Sequence, residues 1–537
     1  MIDKRQALPG DTWSLETFRQ IKSWLERCTQ DHLSCIVDRT DCILPTRLVD
    51  LTKWHENQSL RLIESRTIDR DQENPPLYMT LTYKWATGTT AAASTTSSNI
   101  SARLITLSAS TLPLLFSHAI EAAHKLHVPY LWIDSLCILQ DTKEDFATEA
   151  AMMSTTYRNS YCTIFAGLDD TDTFGLFRQR DVHNDAVEFE LRDAQSKTRR
   201  VRAVKQQEWW TTMFEKGPLQ QRGWCLQERE LSPRVLHVTP TQVLWECRCL
   251  KASQGLPKTS ITLEGEQARM LDPIPTLSVL EIHKQWHYTV AAYTARHLTE
   301  YTDTFPALSG LAKIVYQFLD QGKREEGYLA GIWCSNLRRS LAWHTTNVQR
   351  GEPVRHPGYI APNWSWASVN GTITYEQGVR KETDRLSVVH EPGLTATIKK
   401  WEMELASGDP FGPLVSAELL ICAPLVDAIL EPAVVSSSYY LYGPTGAQQD
   451  RRGRWIGHMA FDVHSESERL KVVRVLALFR NAEYCEHGKR GETPTCGVGV
   501  VVVPVQGKKG VYRRVGRVSH LWMEYFEGVE EKEMVLV

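Results

Sequence analysis

The sequence predicts an α/β protein with a parallel-sheet core, followed by a helical segment and a β-rich C-terminal region. Three observations carry that reading. Short strand-like runs at "LYMTLTYKW", "PYLWIDSLCIL" and "YCTIFAGL" alternate with stretches of helical spacing, the order that a strand–helix–strand sheet requires. The second of these runs is almost wholly apolar, as expected for a strand covered on both faces in a parallel sheet, and the first is rich in aromatic and β-branched residues. From about residue 358 the pattern changes to short β-type runs ending in "CGVGVVVVPVQGKKGVYRRVGRVSHLW", which reads as a hairpin.

The elements follow in chain order. Within residues 12 to 35, Ile21, Trp24, Leu25, Cys28, His32 and Cys35 are spaced by threes and fours on one helical face. "LPTRLVDL" and a polar loop, "DRDQENPP", lead to the first strand at 77 to 85. The Gly/Ser/Thr/Ala-rich "ATGTTAAASTTSSNISA" reads as a surface loop. "TLPLLFSHAIEAAHKLHV" is a helix with Leu115, Ala119, Ala122, Ala123 and Leu126 on its apolar side, and Thr111 and Pro113 suit its start. After the second strand, "DTKEDFATEAAMMSTTYRNS" reads as a helix with Phe146, Ala150, Met153 and Tyr157 on one side. "RGWCLQERELS" is a further helix and "PRVLHVTPTQVLWECR" a hairpin, with a polar break over 251 to 273. The expected organisation is an N-terminal helical extension (1–74), an α/β core (75–250), a helical region (274–345) and a β-rich region (358–537).

A chain of 537 residues is long enough for two or three domains. A formal charge of −3 carries no polyelectrolyte signature, so nucleic acid is not an expected partner. The N-terminus lacks an apolar signal region, and no apolar run approaches the roughly 20 residues of a membrane span. Twelve scattered cysteines then read as reduced thiols of a cytoplasmic protein. Tryptophans recur beside polar motifs (Trp85, Trp132, Trp224, Trp245, Trp364, Trp366), either as aromatic cleft walls or as large core fillers. In "CTQDHLSC", Cys28, His32 and Cys35 would share one helical face, and with Cys42 they could form a tetrahedral zinc site. The competing reading is small thiols packed on an apolar face. "CEHG" (485 to 488) and "ECRC" (246 to 249) offer no four-ligand set, and no phosphate-binding glycine loop is present.

"YMTLTYKWATG", "YLWIDSLCILQD" and "RGWCLQERELSPRVLH", in that order, resemble the three signature blocks of the fungal heterokaryon incompatibility (HET) domain. "CTQDHLSC" and "LPTRLVD" upstream, and "APNWSWASVNG" and "VYRRVG" downstream, resemble extensions attached to that domain. One departure is Ala86, where the first block more usually has glycine. The resemblance implies a role in fungal self/non-self recognition, with programmed cell death after incompatible fusion as the output; self-association or a protein partner is the expected interaction. It also implies a distant similarity to TIR domains, whose flavodoxin-like sheets can cleave NAD⁺ and whose Trp-x-x-x-Glu helix supplies the active carboxylate. Trp224 and Glu228 fit that pattern. The fold expectation becomes a TIR/flavodoxin-like core, with NAD⁺ as substrate and no resident cofactor assigned.

Cleaving the nicotinamide–ribose bond passes through an oxocarbenium-like state, and the leaving group is already cationic. One carboxylate beneath the ribose can stabilise that charge, the role open to Glu228. Trp85, Trp132 and Trp224 could stack on the rings, and Arg222 or Arg229 could hold the diphosphate. Asp134 ends the second strand, where open α/β sheets collect ligands, although it could instead cap the next turn or pair with Arg222. The structural alternative makes Arg222, Glu228 and Arg229 an ion-pair network locking helix to sheet, with Trp224 as a core anchor. Cys137 reads as a buried, inert thiol. Two rival functions stay open: a non-catalytic signalling module, and a fold recruited for secondary-metabolite biosynthesis with a small-molecule ligand.

Overall fold

The computed structural model describes residues 8–37, 42–69, 76–85, 93–168, 175–179, 186–192, 198–204, 217–257, 269–271, 274–322, 326–346, 351–375, 396–432, 439–443, 455–480 and 496–537. Ala86, the first part of the Gly/Ser/Thr/Ala-rich loop and the "CEHG" segment lie outside them. The chain divides into two units, Met1–Asp272 and Pro273–Val537.

In the first unit, α1 (Leu15–Asp31) starts at Ser14, whose hydroxyl accepts the Thr17 amide, and it buries Phe18, Ile21, Trp24, Leu25 and Cys28. Then come β1 (Arg47–Asp50), β2 (Arg61–Glu64), β3 (Tyr78–Thr82), α2 (Leu114–Lys125), β4 (Tyr130–Trp132), α3 (Lys143–Arg158) and β5 (Cys162–Ala166). A hairpin of β6 (Ala186–Arg192) and β7 (Thr198–Val204) precedes α4 (Gly223–Leu231), β8 (Arg234–Val238), β9 (Val243–Cys247) and β10 (Lys251–Ser253). The eight-stranded sheet runs β10-β9-β8-β5-β3-β4-β1-β2. Its centre, β4-β3-β5-β8, is parallel; the flanks, β9-β10 and β1-β2, are antiparallel. β3, β5 and β8 are buried along their whole lengths, as strands covered on both faces are, and the polar side chains they carry are hydrogen-bonded, as where Thr80 of β3 meets Thr163 of β5 at 2.7 Å. Taking β3 as the first parallel strand, the order is second-first-third-fourth, that of flavodoxin-like sheets. The mixed α/β expectation therefore holds.

Three local expectations are corrected. Residues 47–64, within the expected helical extension, supply two strands of the main sheet, and β1 pairs with β4. The second strand stops at Trp132, and Asp134–Cys137 forms a helical turn; Oδ1 of Asp134 accepts the Ser135 amide at 2.7 Å, a local bond that competes with continued pairing. On α3 the buried face is Glu149, Met153, Thr156 and Tyr157, while Phe146 is exposed. The first turn of that helix is pinned by Asp145, whose carboxylate accepts Arg47 NH2 at 2.6 Å, and this sets its rotation.

In the second unit, α5 (Val279–Thr294) begins with a capping box between Ser278 and Glu281, and α6 (Pro306–Asp320) begins with proline. β11 (Thr397–Leu405), β12 (Leu414–Pro432), β13 (Tyr439–Tyr442), β14 (Trp455–Phe461), β15 (Val472–Arg480), β16 (Cys496–Pro504), β17 (Val511–Trp522) and β18 (Glu531–Leu536) follow. They run β11-β12-β13-β14-β17-β16-β15, and β12 also pairs with β15, closing a ring. Every pair is antiparallel except β17 with β18. Val475, Val501, Val515, Val518 and Leu521 are among the residues of its core. From "VYRRVG", the buried Arg514 donates to Asp462 (2.8 and 3.1 Å) and stacks 3.6 Å from the Trp343 ring centroid. Among the described residues no helix is long and apolar enough to cross a membrane.

The tie that locks α4 onto the first sheet is ionic. Arg229 grips Glu246 of β9 through two bonds, Nε to Oε2 at 2.8 Å and NH2 to Oε1 at 2.6 Å. His237 of β8 lies 2.8 Å from the same carboxylate, and Arg269 Nε lies 3.5 Å away. Burial by itself would raise the pKa of Glu246, but Arg229, Arg269 and the His237 hydrogen bond hold it well below the ordinary value. The stabilisation is therefore present at neutral pH and is lost as pH falls below the ordinary carboxylate range. Glu246→Gln removes the carboxylate shared by two buried guanidinium groups, leaving Arg229 only its longer pair with Glu230 at 3.4 Å; the expected loss is about 3 kcal/mol. Urea unfolding of the full chain at neutral pH measures it, and a change under about 1 kcal/mol would mean that the network does not hold the helix.

Candidate functional site

The parallel order reverses direction between β3 and β5, and ligands of open α/β sheets settle outside the carboxyl ends of strands at such a point. The chain leaving β3 carries Tyr83 and Trp85, the chain leaving β4 carries Asp134, and Arg222 immediately precedes α4. These side chains converge. Trp85 donates its indole N–H to Oδ2 of Asp134 at 2.7 Å, while Ser135 donates its amide to Oδ1 at 2.7 Å. The hydroxyl of Tyr83 donates to Ser135 Oγ at 2.8 Å, and its ring stacks with Trp85 at a centroid distance of 6.4 Å. Arg222 donates NH1 to the Tyr83 carbonyl.

Glu228 lies one turn beyond Trp224 on α4, so the two share a face. It is 8% exposed. Burial raises its carboxyl to about 6; the Thr82 and Tyr157 hydroxyls and the Arg222 charge pull it down, and Asp134 pushes it up. Burial also raises Asp134, against hydrogen bonds from Trp85, Tyr83 and Ser135 and the charge of Arg222. Two carboxylates facing one cation, both displaced upward, form the kind of electrostatic arrangement that concentrates at functional sites.

Of the residues singled out from the sequence, Trp85, Asp134, Arg222 and Glu228 fall together. Trp85 is 36% exposed, and Trp224 is half-buried in the first turn of α4. Trp132 is a correction: it is fully buried, edge-on to Tyr157 at 5.7 Å, and therefore a core filler rather than a stacking wall. Arg229 is a second correction, because Glu246 already engages its guanidinium through both Nε and NH2. Trp245, Trp364 and Trp366 are likewise buried in the core. Burial pushes the Cys137 thiol up to about 12, as an inert thiol requires. Tyr83 and Thr82 join the group without having been singled out, and Tyr157 joins it though expected only on the apolar side of its helix; the signal available for Tyr83 was its place in the "TYKW" block after β3. A shallow recess at the ends of β5 and β8 is lined by Phe165, Gly167, Leu219, Gln220, His237 and Thr239.

A second cluster lies at the N-terminal end of the chain. The ligand atoms of Cys28, His32, Cys35 and Cys247 all fall within 4.8 Å of one another. The expected fourth ligand, Cys42, is not in this group; its thiol lies 3.9 Å from the Ile43 carbonyl, and Cys247 of "ECRC" takes the place instead.

Residues 78–228 match the family model described as Heterokaryon incompatibility protein (HET), a span from the first residue of β3 to Glu228 itself. No curated protein and no solved structure matches the chain.

The raised carboxyl has a consequence for stability. A group protonated more readily in the folded state favours folding fully below its ordinary value of 4.5, and that contribution is lost as pH rises through about 6. Glu228→Gln cannot ionise, so its stability relative to the unsubstituted chain should rise by about 2 kcal/mol on going from acid to neutral pH. Urea unfolding of both forms below pH 4.5 and well above pH 6 measures this; a pH-independent difference would show that Glu228 ionises as an ordinary surface carboxyl.

Proposed function

The chain carries a HET domain over residues 78–228, which implies a role in heterokaryon incompatibility, and we propose that this role is executed by hydrolysis of NAD⁺ at the Glu228–Asp134–Arg222 group. The observation that carries the reading is Glu228: a carboxyl raised to about 6 by burial, opposite Asp134 and Arg222, beside the reversal point of a parallel sheet. With that value most of the group is ionised at neutral pH, so it can face a developing cation. Arg222, anchored by the Tyr83 carbonyl, offers charge to a diphosphate. Trp85, partly exposed, offers a ring face to a base or to nicotinamide.

The C1′–N bond breaks and its electron pair goes to the pyridinium nitrogen, so nicotinamide leaves neutral without an acid. The ribose becomes oxocarbenium-like, and Glu228 stabilises it. Water adds at C1′ and passes its proton through Glu228, whose raised pKa suits transient protonation, to solvent. The products are nicotinamide, ADP-ribose and a proton. Asp134, held by the Trp85 indole and the Ser135 amide, positions the loop after β3.

One observation favours a second reading. Glu228 is only 8% exposed, which suits a non-catalytic module whose buried carboxylate holds the loops of an interaction surface. Nicotinamide release from NAD⁺ by the purified full chain separates the two. The hydrolase reading expects turnover that rises as pH passes about 6 and falls about 100-fold or more in Glu228→Gln. No release, or equal release by the variant, would leave the module reading, under which Glu228→Gln still arrests growth when expressed in a filamentous fungus.

A further inference from the structure

We propose that Cys28, His32, Cys35 and Cys247 hold one zinc ion, which ties the N-terminal helix to the end of β9. The four ligand atoms lie within 4.8 Å of one another, and Nδ1 of His32 is 3.4 Å from Sγ of Cys247. A tetrahedral zinc ion with Zn–S near 2.3 Å and Zn–N near 2.0 Å requires ligand–ligand separations of about 3.4 to 3.8 Å. The cluster is thus already at, or a small side-chain adjustment away from, the geometry of a bound ion.

The local fold explains the convergence. α1 ends at Asp31 and the chain tightens into a 3₁₀ turn over Leu33–Cys35. Cys28 in the last turn of the helix, His32 at its end and Cys35 in the 3₁₀ turn thereby meet at one point, rather than along one continuous helical face. Cys247, 215 positions after His32, reaches the same point from the last residue of β9.

Electrostatics and solvation support a metal over a packed thiol cluster. Three thiolates around Zn²⁺ leave one net negative charge, and Arg234 of β8 supplies the counter-charge: its Nε donates to Cys28 Sγ at 3.2 Å and its NH2 to the Cys35 carbonyl at 3.0 Å. A buried guanidinium aimed at a sulfur has a clear role beside a thiolate and little beside a neutral thiol. Cys28, Cys35 and Cys247 are buried and His32 is half-buried, so the site is closed, with four protein ligands and no open position for substrate. That is the pattern of a structural ion. The N/S donor set selects zinc over magnesium or calcium. Cys249 lies 4.0 Å from Cys35 Sγ but is exposed and outside the four-atom group.

The test is metal analysis of the purified full chain. One equivalent of zinc is expected, released when the thiols are blocked, with a lowered melting temperature after chelation. Cys28→Ser and Cys247→Ser should each lose the ion, whereas Cys249→Ser and Cys422→Ser should keep it and Cys247→His should retain most of it. Should the serine variants fail to fold, cobalt(II) added to the stripped, unsubstituted chain decides: an intense tetrahedral visible band with thiolate-to-metal charge transfer supports the site. Absence of zinc together with absence of that band overturns the proposal, as does zinc retained in both Cys28→Ser and Cys247→Ser. None of these readouts depends on hydrolysis of NAD⁺, so this site and the Glu228 site stand or fall separately.

Discussion

The two-point grip of Arg229 on Glu246 is the constraint on which the arrangement of the first unit depends. It is buried, fed by two guanidinium groups and a histidine, and joins the helix α4 to the antiparallel edge hairpin of the sheet. Such a network has little latitude, because each charged group removed from water needs its partner in place. Fixing Arg229 fixes the rotation of α4, and that rotation decides where its neighbour Glu228 points. The pairing and the candidate site are therefore coupled: Glu228 and Arg229 are adjacent on one helix turn, the first beside Asp134 and Arg222 and the second bound to Glu246.

The same logic explains the electrostatics of the site. Glu228 has no partner of comparable strength; it has hydroxyls, a neighbouring carboxylate and a single arginine shared with Asp134. Burial consequently raises its carboxyl, where Glu246, fully buried, is held low by two arginines. Two acids eighteen positions apart in the sequence are driven in opposite directions by their neighbours, the mark of a structural group beside a poised one.

The tryptophans divide along similar lines. Trp132 and Trp245 of the first unit, and Trp343, Trp364 and Trp366 of the second, are buried. Trp343 and Trp366 also spend their indole N–H groups on backbone carbonyls, of Trp364 and Gly331. Gly331, with φ +92°, sits so close to the Trp366 indole that a Cβ would come within 2.6 Å of it. Trp85 differs: its ring is partly exposed and its N–H is spent on Asp134.

What the sequence by itself determined is the element order and the parallel core. The strand-type runs at β3, β4 and β5 alternate with helical stretches, the order that a parallel sheet needs. The hairpins β8–β9 and β16–β17 were legible for the same reason, since local periodicity and turn residues are written within a dozen positions. Only the tertiary structure decided the rest, because those outcomes depend on partners remote in sequence. Phe146 was turned outward by the pairing of Asp145 with Arg47. Asp134 begins a helical turn beyond the strand and takes the indole N–H of Trp85, 49 positions earlier. Arg229 left the candidate site for Glu246, Trp132 sank into the core, and Cys247 rather than Cys42 came to stand beside Cys28, His32 and Cys35. Spacing along a chain records which side chains share a face; the fold alone records which faces meet.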